Sequence, residues 1–398
     1  MTNDKNVSFL RHRSWLGMAM LLGTTAAYAE GNITPHALVR YEHDSNLLLV
    51  PSDTPRQDAS GEYRLEDSFE DYAGGIDGEY RWRDNRFYLT TNYSHFVYQN
   101  FTQLNHDEFA GTTGLDWTAT YKIKGNIGTQ YNRHQLSLLD VNISDPNLSY
   151  IETTQITNAS ATYDMNSHWR VDGGISYLTA KLPDAGAQSY DVNESQGNAG
   201  VKFIGSANLT TGVSVNRKSG HYKNSNQPGY TQTAYEYTID YKLGARTLLS
   251  GVVGYNVRVQ TGFDVSATTG SFSFSQQLTP KTSYYLKFLR ALDTYNTTFG
   301  SQLTTGGTAG LSWQATEKIM LSANYTYNKA NVKGEFTGTT ATQRDDTVKS
   351  TEVSLKYAAL RWLTITPYYR YENRNSQLAA FTFRNNTYGI NFEARFQP

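Results

Sequence analysis

Gly75-Ile76-Asp77-Gly78-Glu79-Tyr80-Arg81-Trp82 decides the fold. Ile76, Gly78, Tyr80 and Trp82 fall on one parity and Asp77, Glu79 and Arg81 on the other. A period of two puts these sets on opposite faces of an extended strand. The pattern returns elsewhere. Leu363, Ile365, Pro367, Tyr369 and Tyr371 oppose Thr364, Thr366, Tyr368, Arg370 and Glu372, and Tyr235, Tyr237, Ile239 and Tyr241 oppose Glu236, Thr238, Asp240 and Lys242. Ile319, Leu321, Ala323, Tyr325 and Tyr327 oppose Met320, Ser322, Asn324, Thr326 and Asn328. Each strand therefore has one apolar, aromatic face and one polar face.

Between these segments, short polar turns fall near Arg83-Asp84-Asn85, Lys122-Ile123-Lys124-Gly125, Met165-Asn166-Ser167, Gly205-Ser206-Ala207, Gly244-Ala245, Thr279-Pro280-Lys281, Thr316-Glu317 and Ala359-Leu360. They recur about every 40 residues, as hairpins of two strands plus connectors do. With a lone first strand at Ile33 to His43 and a last one from about Phe381 to Phe396, the count is about 18 strands. Longer polar loops join the opposite ends, at Asp44–Glu66, Asn100–His106, Asp140–Tyr150, Lys181–Asp191, Arg217–Gly229, Thr261–Asp264, Asp293–Ser301, Asn331–Arg344 and Asn373–Ala380.

A soluble sandwich alternates in the same way, so the strand ends must decide which face meets lipid. Trp82, Trp117, Trp169, Trp313 and Trp362 all lie within a few residues of the short turns, joined by Tyr121, Tyr163 and Tyr357. Amphipathic rings gathered at one level are the girdle of a membrane interface, whereas core tryptophans would be scattered along the strands. The expected fold is all-β: a transmembrane antiparallel up-and-down barrel of outer-membrane type, with short turns and both termini on the periplasmic side. A propeller also repeats near 40 residues but needs four strands per repeat, and here only two are found.

The first 29 residues are set aside. Lys5, Arg11 and Arg13 precede the apolar run Trp15 to Leu22, which leads to Ala27-Tyr28-Ala29. Positive flank, short apolar core and A-x-A site make a signal peptide, cut before Glu30, leaving residues 30–398 as the barrel. Without residues 1–29 the formal charge falls from −1 to −3, which gives no basic footprint for nucleic acid. There is no cysteine, so neither disulfides nor thiolate metal sites are available.

No enzymatic motif appears. The histidines, His12, His36, His43, His95, His106, His134, His168 and His221, are dispersed, with no H-E-x-x-H spacing and no G-x-S-x-G elbow. A Ser-His-Asn set assembled across strands stays open on sequence alone. No cofactor, metal or catalytic residue is expected. The candidate functional surface is the lumen. Its parity carries Arg40, Arg81, Arg170, Lys202, Lys242, Arg258, Lys287, Lys356, Arg370 and Arg395 against Asp77, Glu79, Asp116, Asp172, Glu236, Asp240, Glu352, Glu372 and Glu393. A mixed wall suits a neutral or weakly charged polar solute, since a single-sign wall would concentrate the opposite ion. A barrel of this strand number is too wide for side chains to fill.

After the cleavage site the chain reads Thr34-Pro35-His36-Ala37-Leu38-Val39-Arg40-Tyr41-Glu42-His43-Asp44-Ser45-Asn46-Leu47-Leu48. This resembles the start of mature proteins in the β-barrel porin family of exopolysaccharide operons. The resemblance continues through Gly74-Gly75-Ile76-Asp77-Gly78-Glu79-Tyr80, Asn92-Tyr93-Ser94-His95-Phe96 and Gly114-Leu115-Asp116-Trp117, and in looser form to the C-terminus. The chain departs from that class at its end, where Gln397-Pro398 follow Phe396 in place of a terminal aromatic residue. The resemblance implies an outer-membrane channel for export of an exopolysaccharide, a role in biofilm matrix secretion, and partners in a periplasmic polysaccharide-export protein and inner-membrane synthesis machinery. A general or sugar-selective diffusion porin has the same architecture, and a surface adhesin or phage-receptor barrel would place its function in the loops.

Overall fold

The computed structural model describes residues 31–136, 150–182, 191–223, 229–260, 263–294, 301–333 and 343–396. The strands are β1 (Gly31–Asp44), β2 (Arg56–Gln57), β3 (Tyr63–Arg64), β4 (Asp67–Trp82), β5 (Asn85–Tyr98), β6 (His106–Thr118), β7 (Ile123–Gln135), β8 (Ile151–Asp164), β9 (Trp169–Lys181) and β10 (Val192–Ser206). The second half comprises β11 (Leu209–Tyr222), β12 (Tyr230–Leu243), β13 (Thr247–Gln260), β14 (Phe263–Thr279), β15 (Thr282–Thr294), β16 (Ser301–Gln314), β17 (Ile319–Lys333), β18 (Gln343–Ala358), β19 (Leu363–Ser376) and β20 (Phe383–Arg395).

Eighteen of these form one antiparallel sheet, closed because β1 pairs with both β4 and β20. β2 and β3 form a separate small hairpin within the first long connection. Closure removes every free sheet edge, which a lipid-embedded sheet requires. The β1–β4 ladder runs from Gly31↔Tyr80 to Asp44↔Asp67, whereas β1–β20 is shorter, from His36↔Arg395 to Asp44↔Thr387. In the two-residue turn Arg83-Asp84, Arg83 takes φ 54° and lays its guanidinium 5.2 Å from the Trp82 ring centroid.

On most barrel strands one face carries exposed apolar side chains, such as Val39 and Tyr41 on β1, Val213 and Val215 on β11, or Tyr235 and Tyr237 on β12. On the other face, side chains reach over an intervening strand, which is possible only on the concave side. Asn126 of β7 donates to Tyr88 of β5 (3.1 Å), and Tyr285 of β15 donates to Asn324 of β17 (2.9 Å). Beneath these bridges lie glycines. A Cβ at Gly114 would stand 2.4 Å from Tyr88 Oη, and one at Gly310 only 2.2 Å from a Tyr285 ring carbon.

The strands extend further than sequence alternation indicates. The expected loops Arg217–Gly229, Asn331–Arg344 and Asn373–Ala380 lose their first residues to β11, β17 and β19, and Phe263, expected in a loop, begins β14. Above the bilayer both faces are wet, so alternation fades while the ladder continues. The last strand starts at Phe383 because Ala379–Phe381 form a 3-10 turn. The cores of the expected loops at Asp140–Tyr150, Lys181–Asp191 and Asp293–Ser301 lie outside the described residues.

The wall has one irregularity. β14 and β15 pair only up to Gly270↔Arg290, although β14 begins at Phe263 and β15 runs to Thr294. Gln232 of β12 donates to the carbonyl of Leu292 of β15 (3.4 Å), with β13 and β14 between them in sheet order. The end of β15 therefore bends inward across β13 and β14, and Leu292 is buried.

Candidate functional site: the inner wall and outer mouth

Alternation places the charged groups of β1, β4–β6, β19 and β20 on the concave face, and the register then sets opposite signs side by side. Arg40 meets Asp71 at 3.0 Å and Glu42 at 4.0 Å, while its guanidinium lies 5.4 and 5.6 Å from the Phe69 and Phe96 ring centroids. Arg370 reaches Glu42 at 3.6 Å, and Glu42 also accepts from the Tyr368 hydroxyl. Nearer the short turns, Arg395 meets Asp77 (3.2 Å), Arg86 meets Asp116 (2.8 Å), and both Arg81 (2.5 Å) and Arg86 (3.6 Å) meet Glu79. Further round, Arg170 pairs with Asp164 (2.5 Å) and Lys202 with Asp172 (3.1 Å).

Other sequence candidates are placed differently. Among the described residues Asp240, Lys242, Lys287, Glu352, Lys356 and Glu372 make no ion pair. Glu236 accepts from Ser214 (3.4 Å), the Lys287 ammonium sits 5.1 Å from the Tyr285 ring centroid, and Glu352 is the ladder partner of Arg370. Arg258 differs in kind: it is fully buried, 3.8 Å from the Tyr230 ring centroid, and presents no charge to a solvated bore. Parity predicts the side on which Arg258 lies, but its burial comes from neighbours brought over it. Asp71, Glu42, Arg86, Glu194 and Lys218 were missed. They carry the same parity signal and sit at strand ends.

Trp82, Trp169, Trp313, Trp362, Tyr163 and Tyr357 are exposed on the outward face beside the short turns. Trp169 packs on Phe203 (5.0 Å between centroids) and Trp362 stacks on Phe396 (6.0 Å). Trp117 lies over Gly125, where a Cβ would stand 2.5 Å from its ring, and Tyr121 projects from the turn after β6.

The long-loop end is narrowed from within. Leu47 and Leu48, just after β1, and Phe101 and Leu104, just after β5, are buried on the inward-facing side chains Phe69, Phe96 and Tyr98. Asp67 fixes this cap by accepting from the backbone N–H of Asn100 (3.1 Å) and Phe101 (2.9 Å) and from the Asn100 side chain. Asn46 ties the same loop to β20 through the Arg384 carbonyl and the Asn385 side chain. Leu378 and Phe381 pack on Ala330 and Val332, and Leu136, Leu182 and Tyr150 form a third cluster. Burying each such apolar side chain is worth about 1.5–3 kcal/mol. These segments are therefore fixed parts of the mouth.

Below the bent end of β15 lies a recess of about 400 Å³, lined by Gln196, Asn216, Gln232, Asn256, Glu236 and Leu289. Amides there can donate and accept, while Leu289 offers apolar surface. Among the described residues no cluster of metal-ligating side chains occurs. The serine–histidine contacts there, His43 to Ser68 and Ser167 to His168, include no carboxylate partner for either imidazole.

No protein-family model matches the sequence, and no curated protein matches it. Solved structures do match in fold. The BenF-like porin of Pseudomonas fluorescens Pf-5 aligns over 93% of this chain and 99% of its own, with TM-score 0.52 and 11% identity. Pseudomonas aeruginosa OccK2 (OpdF), solved in complex with glucuronate, aligns over 92% and 98% with TM-score 0.51 and 11% identity. Pseudomonas aeruginosa OpdQ aligns over 92% and 99% with TM-score 0.50 and 10% identity. With its closed ladder and apolar exterior, the chain is an outer-membrane β-barrel of 18 antiparallel strands, the architecture of these porins.

Proposed function

We propose that this barrel is a passive channel for small polar solutes, lined by the inward-parity residues named above and seated in the membrane at its tryptophan level. The observation that carries this reading is the outer mouth, narrowed by side chains packed inside the wall at Leu48, Phe101 and Phe381. Many wall charges lie beside neighbours of opposite sign and the unpaired ones are of both signs, so the bore presents no single-sign field, which favours uncharged or weakly charged solutes. Lumen contacts of this kind are individually weak, as conduction requires, since a solute must leave as readily as it enters. OccK2, similar in architecture, was solved with a small sugar acid, which supports the small-solute reading.

Export of an exopolysaccharide, with a periplasmic polysaccharide-export protein and inner-membrane synthesis machinery as partners, is the second reading. It is favoured by the residues Thr34 to Leu48 and their resemblance to exopolysaccharide-operon barrels. The porin fold supports diffusion better. Both readings take residues 1–29 as a cleaved leader, checked by an N-terminus at Glu30 in the mass of the purified protein.

Liposome swelling separates the two readings. For a diffusion channel, rates fall steeply from pentoses to trisaccharides, and deleting the gene slows growth on a limiting sugar while surface polysaccharide persists. A deletion strain that loses surface polysaccharide and keeps solute uptake overturns the diffusion reading.

A further inference from the structure

The outward face of the barrel carries a charge asymmetry at its far rim. On β15, β17, β18 and β20 the apolar parity is marked by exposed Phe288, Tyr325, Tyr327, Val353 and Tyr388. Following that parity toward the long-loop end, it continues into exposed Arg290, Lys329, Lys349 and Arg384. The height of three of them is set by the tryptophan level. Arg290 lies eight residues beyond Thr282, and Lys329 eight beyond Leu321, the two ladder partners of Trp313. Lys349 lies eight residues from Tyr357. A tilted strand needs roughly 9–11 residues to cross the apolar band. These cations therefore stand where the outer leaflet's headgroups begin, within the reach of long, flexible side chains.

The ladder groups them laterally. Arg290 pairs with Thr305 and Thr305 with Lys329, two strands apart, and Lys349 pairs with Asn373 and Asn373 with Arg384, again two strands apart. Adjacent strands lie about 4.8 Å apart, so each couple spans about 10 Å. Arg290, which also borders the recess inside the wall, is held at the point where the β14–β15 ladder stops, donating to the Thr268 carbonyl (2.9 Å) and to Thr305 Oγ1 (3.1 Å), so the sector rests chiefly on Lys329, Lys349 and Arg384. Among the described residues none of the four makes an ion pair. The one acid found on that parity nearby, Asp345, accepts from Asn331 (2.6 Å). Across the barrel the outward acids are occupied locally, Asp107 by His95 (2.7 Å) and Glu70 by Tyr72. Outward cations also occur on β7, β9 and β11 at Arg133, Lys181 and Arg217, but Arg133 is engaged by the Asp107 carbonyl (2.8 Å), and the β15–β20 sector holds the larger group.

We propose that this sector is a binding site for the phosphate groups of an outer-leaflet glycolipid. Phosphates carry the charge and acceptor oxygens that guanidinium and ammonium groups recognise. Acyl chains would lie along Tyr325, Tyr327, Phe288 and Tyr388 below. The site is independent of what passes through the bore.

The test uses the detergent-purified barrel titrated with bisphosphorylated lipid A and with the same lipid after dephosphorylation. The wild type binds the phosphorylated form more tightly. The triple variant Lys329→Gln, Lys349→Gln, Arg384→Gln loses about tenfold or more of that affinity, as removal of three interfacial cations implies. Arg217→Gln, an outward cation on β11 away from the sector, changes it by less than about twofold, as one cation outside the cluster should. Unboiled gel mobility reports folding, and Lys349→Gln alone gives a smaller loss of the same sign should the triple variant not insert. Equal affinity for the dephosphorylated lipid, unchanged affinity in the variants, or a loss shared by Arg217→Gln overturns the proposal.

Discussion

The ring of Tyr368 on β19 lies across Gly389 on β20: a Cβ at that glycine would stand 2.3 Å from Tyr368 Cζ. The missing side chain lets the phenol pass over one strand and donate to Glu42 on β1. Tyr230 crosses Gly220 to Glu194 in the same way, as Tyr88 crosses Gly114 and Tyr285 crosses Gly310. Part of the chain's complement of 30 Tyr and 32 Gly is thus joinery, each joint coupling three consecutive strands.

Replacing Gly389 with Ala displaces that ring and strips a buried carboxylate of a donor. A destabilisation of about 1–3 kcal/mol is expected, as for other overpacked sites. Gly74→Ala is the matched control, because the nearest atom to its Cβ would be the His36 carbonyl oxygen at a comfortable 3.7 Å. The midpoint of the boiling-dependent gel shift should fall for the first variant and hold for the second.

Removing the inward cap widens the mouth without opening the wall. Phe101 is completely buried, and Phe101→Ala together with Leu48→Ala deletes the apolar grip on Phe69 and Phe96. A large-to-small change at such a site costs about 3–5 kcal/mol locally. The ladders of β4, β5 and β6 are untouched, so single-channel conductance and trisaccharide flux should rise in a barrel that still migrates as folded.

Two of the arginines that parity places inward, Arg370 and Arg258, separate in behaviour. Arg370 is partly exposed and shares Glu42 with Arg40, so Arg370→Gln should alter ion selectivity, read as a shifted reversal potential, with a small stability change. Arg258 is wholly buried against Tyr230, and Arg258→Gln should lower the unfolding midpoint with little change in selectivity.

The β2–β3 hairpin should resist mild acid. Asp58 accepts from Ser60 Oγ (2.7 Å), from the backbone N–H of Ser60 and Glu62, and from Arg64 Nε (2.9 Å). These bonds, the Ser60 hydroxyl first, hold its carboxyl below the ordinary carboxylate value. A depressed folded-state value means the contribution is present above the unfolded value, about 4, and disappears only as pH falls through the lower folded one. Protease sensitivity around residues 56–64 should therefore stay flat down to about pH 4 and rise below it, and Asp58→Asn should remove that step.

Strand number, turns and facing were legible because period-two alternation reports a sheet between two media, and Gly75 to Trp82 shows it in eight residues. Three things were not. Loops have no period, so the inward packing of Leu47-Leu48 was signalled only by an apolar pair in a polar connection. Parity shows the face of Arg258 but cannot show that Tyr230 covers it. The early end of the β14–β15 ladder leaves no trace in local composition, since the contact that accompanies it joins Leu292 to Gln232, three strands away.

The β1–β20 join is where the chain meets itself. Asp44 accepts from Asn385 (2.7 Å) and from Thr387 (2.6 Å), groups 341 and 343 residues away, whereas the other barrel ladders join near neighbours in sequence. Bringing ends so distant together costs about 5 kcal/mol in chain entropy, and the ladder that does it is shorter than its β1–β4 counterpart. The clasps at Asp44, Glu42 and Asp77 act like the end-stop of a zip fastener: they hold the one edge that no hairpin pre-aligns. Biogenesis can run hairpin by hairpin from β4 to β20, but the cylinder exists only once that last edge is fastened.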